Sequence, residues 1–207
     1  MVIDFQKLNK ITVADRYPIP DINMTLQNLG EARYFTTLDL ESGFHQILIR
    51  EEDREKTAFS INGAKYEFLL LLFGLKNTPS IFQRCVGDIL RPYIDKCAYV
   101  YIDDFLIYSN SPEEHVKHIT EIVQTLHNAY MKISEEKSKF FQTQTEFLGH
   151  VIKNGRITVD PDKIEVIDRY KTPESLKDLR SFLGLASYYR KFVQNFAHTC
   201  KPLTIYL

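Results

Sequence analysis

The tetrapeptide Tyr101-Ile102-Asp103-Asp104 sets two adjacent carboxylates between the apolar runs Ala98-Tyr99-Val100 and Phe105-Leu106-Ile107-Tyr108. Two β-prone runs separated by so few polar residues predict a tight β-hairpin with both acids at its tip. An ionised carboxylate beside buried strands needs a partner, because taking it out of water alone is very costly. A divalent cation is one such partner. A plain polar turn is the other reading, since Asp favours turns on its own account. A third acid bears on the choice. In residues 34–40, alternation puts Phe35, Thr37 and Asp39 on one face of a strand and Tyr34, Thr36, Leu38 and Leu40 on the other. If that strand neighbours the hairpin, three carboxylates meet at one edge and repel unless cations screen them. Mg²⁺ suits oxygen ligands and leaves positions open for substrate phosphates. Two such ions support in-line phosphoryl transfer, one activating a hydroxyl and the other stabilising pyrophosphate.

The elements that must position these acids are legible to different degrees. Residues 2–5 read as an extended strand, Tyr17-Pro18-Ile19-Pro20 as an extended linker, and residues 21–29 as a short helix stopped by Gly30. Residues 45–49 read as extended and residues 50–56 as a charged surface segment. Asn62-Gly63 marks a hairpin between residues 57–61 and 66–69. Pro79 opens a helix whose stripe is Ile81, Phe82, Cys85, Val86, Ile89 and Leu90. Ser111-Pro112-Glu113-Glu114 opens another, with Val116, Ile119, Val123, Leu126 and Tyr130 as its buried face. His115 and His118 fall outside that face and read as polar surface rather than zinc ligands. Residues 146–152 with Asn154-Gly155 read as a further hairpin. Asp160-Pro161 and Thr172-Pro173-Glu174 open two last helices, so a helical appendage follows residue 155.

Composition narrows the field. The 207 residues, 44% of them hydrophobic, suit one larger domain, or a domain with a small appendage. No apolar run reaches the roughly 18 residues of a membrane span, and the start lacks a signal-peptide layout. Cys85, Cys97 and Cys200 form no CxxC pair and read as free thiols of a reducing compartment. Net charge is −1, yet residues 156–207 carry nine Lys/Arg against six Asp/Glu, and no acid follows Asp178. Arg180, Arg190, Lys191 and Lys201 are interleaved there with Phe182, Tyr188, Tyr189, Phe192 and Phe196. That pattern suits nucleic acid as well as it suits helix packing.

Motifs in order carry a resemblance over nearly the whole chain. They are Val2-Ile3-Asp4-Phe5 with Lys7-Leu8-Asn9; Asp15-Arg16-Tyr17-Pro18-Ile19-Pro20; Leu38-Asp39-Leu40 with Ser42-Gly43-Phe44-His45-Gln46-Ile47; and Lys56-Thr57-Ala58-Phe59. Phe73-Gly74-Leu75 with Asn77 and Pro79, Phe82-Gln83-Arg84, Tyr101-Ile102-Asp103-Asp104, Phe147-Leu148-Gly149-His150, and Phe182-Leu183-Gly184-Leu185 with Tyr188-Tyr189-Arg190-Lys191-Phe192 complete the series. In that order and spacing the chain resembles the reverse transcriptase of gypsy-type LTR retrotransposons and, more distantly, retroviral enzymes.

The resemblance implies an α+β fold: a polymerase palm with a ferredoxin-like antiparallel sheet, partial fingers (1–15 and 48–77), palm at 16–47 and 78–156, and the start of a helical thumb at 157–207. It implies an RNA-directed DNA polymerase that adds dNTPs to the 3′-hydroxyl of a primer on an RNA or DNA template. Asp39, Asp103 and Asp104 would be both catalytic and metal-binding, holding two Mg²⁺ (or Mn²⁺), with Asp39 and Asp103 in direct coordination and Asp104 contributing charge. Leu40, Phe44, Phe73, Gly74, Tyr101 and Ile102 would form the nucleotide pocket. Phe44 matches the ring that excludes a ribose 2′-hydroxyl, a core Phe being the other reading. Phe147, Leu148 and Gly149 match the primer grip, and Tyr188, Arg190 and Lys191 the thumb's minor-groove track. Lys132 or Lys137 would either protonate pyrophosphate or be plainly solvated. The implied setting is intracellular, cytoplasmic within virus-like particles, with no membrane partner and an open oligomeric state.

The chain departs from the family pattern in places. A basic residue expected four positions before Asp4, and the upstream fingers hairpin, would precede Met1. Gln6 stands where Arg is usual, Leu72 where Pro is usual, and Ser138 where Cys is usual, the last reading as harmless. RNase H and integrase regions are absent. A second reading is therefore a truncated, non-catalytic remnant that binds primer–template weakly through its basic, aromatic thumb. A palm-type nucleotidyl cyclase would need a glycine-rich signature that the chain lacks.

Overall fold

The computed structural model describes residues 3–18, 29, 32–153, 156–159 and 161–206. The helix expected at residues 21–29 lies outside them, Leu29 excepted. The chain divides into two compact units, residues 1–145 and 146–207.

The first unit is built on a four-stranded sheet. In chain order its elements are β1 (Tyr34–Leu38), the helix α3 (Thr78–Ile89), β4 (Ala98–Tyr101), β5 (Asp104–Ser109), the helix α4 (Pro112–Asn128) and β6 (Lys139–Gln142). The spatial order is β4-β5-β1-β6, and each neighbouring pair is antiparallel. A β-α-β-β-α-β chain in that order is the ferredoxin-like arrangement. Leu38, Ala98, Val100, Phe105 and Ile107 of the sheet pack on Phe82, Val86 and Leu90 from α3 and its end, and on Ile122 and Leu126 of α4. Phe82, Val86, Leu106 and Leu126 are fully buried, each worth about 1.5–3 kcal/mol by burial alone. Alternation along β1 then leaves Phe35, Thr37 and Asp39 on the face away from these helices, as the sequence pattern requires.

Smaller elements surround this core. Helix α1 (Gln6–Ile11) has no buried residue, so no apolar periodicity announced it. Its first turn is held by the Asp4 Oδ1, which accepts the Gln6 N–H at 2.8 Å. A 3₁₀ turn at Gly43–Gln46 replaces the start of the extended piece expected at 45–49. The rest of that piece is extended, with Leu48 bridged to Leu70. The charged segment forms a single helical turn, α2 (Glu51–Arg54). β2 (Phe59–Ile61) and β3 (Ala64–Tyr66) make the expected hairpin around Asn62 and Gly63, both at positive φ.

Helix α4 corrects the sequence reading. Its buried residues are His115, Ile122 and Leu126, whereas Val116 is 53% exposed and Tyr130, past the helix end, is 91% exposed. His115 is fully buried. Its Nε2 is 2.9 Å from Thr36 Oγ1, and its Nδ1 is 2.8 Å from Ser109 Oγ. Leu126 is buried and Ile119 and Val123 pack on the core as expected, so the correction is confined to His115 and Ile122, which belong to the buried face, and to Val116 and Tyr130, which do not.

The second unit holds a three-stranded sheet of β7 (Gln144–Phe147), β8 (His150–Lys153) and β9 (Arg156–Val159), in that spatial order. Helices α5 (Pro161–Asp168), α6 (Leu176–Tyr188) and α7 (Phe196–Thr204) follow. A strand at 156–159 means that the segment after residue 155 is not purely helical. Helix α6 starts later than Thr172-Pro173 suggested. Ser175 and Asp178 form a reciprocal capping box there, satisfying two otherwise orphan N–H groups.

Candidate active site

Tyr101 pairs with Asp104, so the turn between β4 and β5 contains only Ile102 and Asp103. Asp103 sits in the turn, and Asp104 is the first residue of β5. Ile102 has φ +52°, a conformation that a β-branched side chain disfavours, and it persists only where neighbours enforce it. The enforcing residue is Gln83 on α3, itself only 3% exposed. Its Oε1 accepts the Ile102 N–H at 2.6 Å, and its Nε2 donates to the Val100 C=O at 3.1 Å. The available signal was an amide side chain directly beside Phe82, in the first turns of an otherwise apolar stripe.

Leu38 pairs with Phe105, so the next residues along, Asp39 and Asp104, leave the sheet at the same end. Burial raises the carboxyl pKa of Asp103 above its ordinary value, and the charges of Asp104 and Asp39 raise it further. Asp104 is raised by burial and then by Asp39. The three acids therefore share one edge and one unfavourable field. The loop after Asp39 also closes on this edge: a Cβ at Gly43 would stand 3.0 Å from Phe82 Cζ and 3.3 Å from Asp103 Oδ1. Lys137 Nζ lies 3.8 Å from Asp39 Oδ1, while Lys132 is exposed. Among the described residues no three His, Cys, Asp or Glu side chains stand close enough to enclose an ion as placed. The acids share an edge, then, without forming a closed ligand shell. Their donor chemistry fits a hard dication: every donor is a carboxylate oxygen, and two of the three groups carry destabilised charge.

Of the other candidate residues of this unit, Phe44 stands nearest the acids, against the Phe82 ring that Gly43 also approaches. The Phe44 ring is 6% exposed and wedged between Phe82, at 5.0 Å between centroids, and Phe73, at 4.8 Å. It is a core ring and a neighbour of exposed Phe73 at once. Gly74 has φ +86°, which demands glycine, and its C=O accepts from Asn9 Nδ2 at 2.7 Å. Leu40 is buried in the core, and Tyr101 is half-buried. A half-open pocket of about 460 Å³, with Leu8, Leu71, Leu75, Ile81 and Arg84 in its lining, includes none of Asp39, Asp103 and Asp104.

Phe147, Leu148 and Gly149 belong to the second unit. Phe147 is buried, and Leu148 and Gly149, with φ of +50° and +71°, form the two-residue turn between β7 and β8. The Tyr188 hydroxyl donates to the Leu148 C=O at 2.7 Å, so the end of α6 holds this turn. The Tyr188 and Tyr189 rings pack on His150 at 5.5 and 6.2 Å. Arg190 is exposed, and the Lys191 side chain lies outside the described residues.

Comparison with known proteins agrees with this geometry. The chain is 51% identical over 204 residues to the retrovirus-related Pol polyprotein from transposon gypsy of Drosophila melanogaster, covering 99% of this chain and 20% of that protein. It is 52% identical over 204 residues to the corresponding polyprotein from transposon opus of the same organism, with the same coverage. The chain thus spans about a fifth of the length of the curated relatives it matches. Among solved structures, the foamy viral protease-reverse transcriptase in complex with double-stranded DNA superposes with a TM-score of 0.90 at 29% identity, over 99% of this chain and 36% of that one. The same enzyme in complex with an RNA/DNA hybrid gives 0.83 at 29% identity, over 98% of this chain and 27% of that one. A family model described as reverse transcriptase (RNA-dependent DNA polymerase) matches residues 1–152. With its ferredoxin-like palm sheet and its acids gathered at one end of it, the chain belongs to the reverse transcriptase (RNA-dependent DNA polymerase) family, of the kind found in gypsy-type retrotransposon Pol polyproteins.

Proposed function

We propose that this chain forms the polymerase site of an RNA-directed DNA polymerase, adding dNTPs to a primer 3′-hydroxyl on an RNA or DNA template. The observation that carries this reading is the sharing of one sheet edge by Asp39, Asp103 and Asp104, with the last two carboxyl groups destabilised by burial and by their neighbours' charge. Asp39 and Asp103 would hold Mg²⁺ directly, with Mn²⁺ as an alternative ion, and Asp104 would add charge. Divalent cations held by these carboxylates would supply activation of the attacking hydroxyl and neutralisation of the departing pyrophosphate. The protein's own part is positional. Gln83 fixes the hairpin tip, and Phe82 and Phe73 keep the Phe44 ring from swinging aside, so it can present a wall to the 2′ position of an incoming sugar. Leu40, Phe73, Gly74, Tyr101 and Ile102 would complete the nucleotide pocket.

In the same reading, residues 1–15 and 48–77 are partial fingers, 16–47 and 78–156 the palm, and 157–207 the start of the thumb. The Phe147-Leu148-Gly149 turn would hold the primer 3′ end, with Tyr188, Arg190 and Lys191 along the minor groove and basic groups near phosphates. The nucleic acids in the foamy viral complexes support a primer–template as the partner. Lys137, 3.8 Å from Asp39, is better placed than Lys132 to donate a proton to pyrophosphate.

Primer extension by the chain and by Asp103→Asn, with Mg²⁺ and dNTPs, tests the proposal. Incorporation by the native chain and a loss of at least about 100-fold in the variant are expected, in line with removing a group that stabilises transition-state charge. Equal incorporation by both would remove the acids from the chemistry. Salt-sensitive binding of primer–template with no extension by either would favour the non-catalytic binder instead.

A further inference from the structure

Asp39 lies just past the end of its strand and outside the hairpin that carries the other two acids. β1 ends at Leu38, so the Asp39 N–H and C=O fall just past the ladder. Residues 131–138, which connect the end of α4 to β6, take up both groups. The Asp39 C=O accepts the Ser134 N–H at 2.8 Å, and the Asp39 N–H donates to Ser138 Oγ at 3.2 Å. The same segment continues along the loop after Asp39. Leu40 bridges Ile133, and the Glu41 N–H donates to the Lys132 C=O at 3.0 Å. Gln46 clamps the two pieces together, its Nε2 donating to the C=O groups of Glu41 (2.7 Å) and Lys132 (3.0 Å) while its Oε1 accepts the Lys132 N–H at 2.6 Å.

The Ser138 hydroxyl is not free to turn. Its proton is committed to the Ser134 C=O at 2.6 Å, which leaves its lone pairs for the Asp39 N–H. The Ser138 N–H also donates to the Ser134 C=O, at 3.1 Å, closing the turn that presents the hydroxyl. Ser138 is thus an oriented acceptor.

We propose that residues 134–138 are a positioning strap for Asp39 and that Ser138 is its specific contact, setting the carboxylate where a cation can be shared with the 103–104 hairpin. The inference rests on the proposed role of Asp39 as a metal ligand and adds a residue that never touches metal or substrate. Ser138 is therefore a positioning residue. The serine that reads as harmless in the sequence is, in the structure, the side chain that fixes the first acid.

The test uses the whole chain and two readouts that do not depend on catalysis. Amide hydrogen exchange at Asp39 reports the strap directly. Mn²⁺ binding, followed by electron paramagnetic resonance, reports the site. In Ser138→Ala the Asp39 amide is expected to exchange about 10-fold faster and Mn²⁺ to bind about 3–10-fold more weakly, the scale of one lost hydrogen bond. Ser138→Thr, which keeps the hydroxyl, restores both, and unchanged far-UV circular dichroism in both variants separates the effect from unfolding. Mn²⁺ binding lost in Asp39→Asn but unchanged in Ser138→Ala would leave the metal site standing and overturn the strap. Mn²⁺ binding unaffected by Asp39→Asn would overturn the metal site, and the strap's purpose with it.

Discussion

The Gln83 carboxamide is bonded to the first limb of the acid-bearing hairpin and to its turn, donating to the Val100 C=O at 3.1 Å and accepting the Ile102 N–H at 2.6 Å. Replacing it with Leu keeps the volume and deletes both bonds. A left-handed Ile102 without its amide partner has no reason to hold that conformation. Gln83→Leu is expected to lower stability by about 1–3 kcal/mol, the cost of unsatisfied buried polar groups. Primer-extension rate should fall by at least about 10-fold, since small displacements of a reacting group are costly. Denaturant melts and extension assays on the same preparation check both, and a rate loss no larger than the unfolded fraction explains would deny Gln83 a positioning role.

Asp103 and Asp104 predict an unusual acid response. Their folded-state pKa values are raised, so folding favours their protonated forms. Their contribution to stability is fully present below the ordinary carboxylate pKa and is lost as pH rises through the raised values. Without divalent ions, Asp103→Asn should therefore stabilise the chain at neutral pH, by roughly 2–4 °C in Tm, and have little effect near pH 4. Added Mg²⁺ should raise the native Tm more than the variant's. Calorimetric scans from pH 4 to pH 8, with and without Mg²⁺, measure this, and a variant less stable at neutral pH would contradict it.

His115 works in the opposite direction. Its pKa is lowered chiefly by burial, against a raising hydrogen bond with the Phe35 backbone, with a smaller lowering from the charge of neighbouring His118. The groups around it are Thr36, Ser109, His118 beyond Ser109, and the rings of Tyr34 and Phe141. Its stabilising contribution is present above the unfolded value of about 6.5 and fades as pH falls through the lowered folded value. His115→Phe should cost about 1–2 kcal/mol at pH 7.5 by removing one partner each from Thr36, which keeps the Phe141 N–H, and Ser109, which keeps His118, and it should flatten stability between pH 7 and pH 5. Urea melts across that interval decide, and an unchanged pH slope would show that His115 does not titrate with folding.

Sequence pattern was informative wherever one physical cause dominated. Alternation in residues 34–40 and the two apolar runs around Asp103-Asp104 marked all three site strands, because a sheet with one face on helices enforces a period of two. Asn62-Gly63 gave its hairpin because few residues tolerate consecutive positive φ. Where causes competed, pattern misled. His115 is polar by type and core by position, since Thr36 and Ser109 satisfy its nitrogens, so the expected face of α4 omits it while including Ile119, Val123 and Leu126, which do pack on the core. Helix α1 buries nothing and is held through Asp4 and Asn9, bonds that periodicity does not register. Gln83 and Ser138 act on backbone atoms 19 and 99 residues away, and such distances are invisible without the fold.

The sheet also sets the order in which the site fails. Asp39 leaves β1, which has a hydrogen-bonded neighbour on each side, whereas among the described residues the hairpin's β4 has a strand neighbour only in β5. Outer strands open at lower free energy than inner ones. Warming should therefore loosen the turn that carries Asp103 while β5 and β1, with Asp104 and Asp39 at their ends, are still native, and thermal inactivation should run ahead of thermal denaturation.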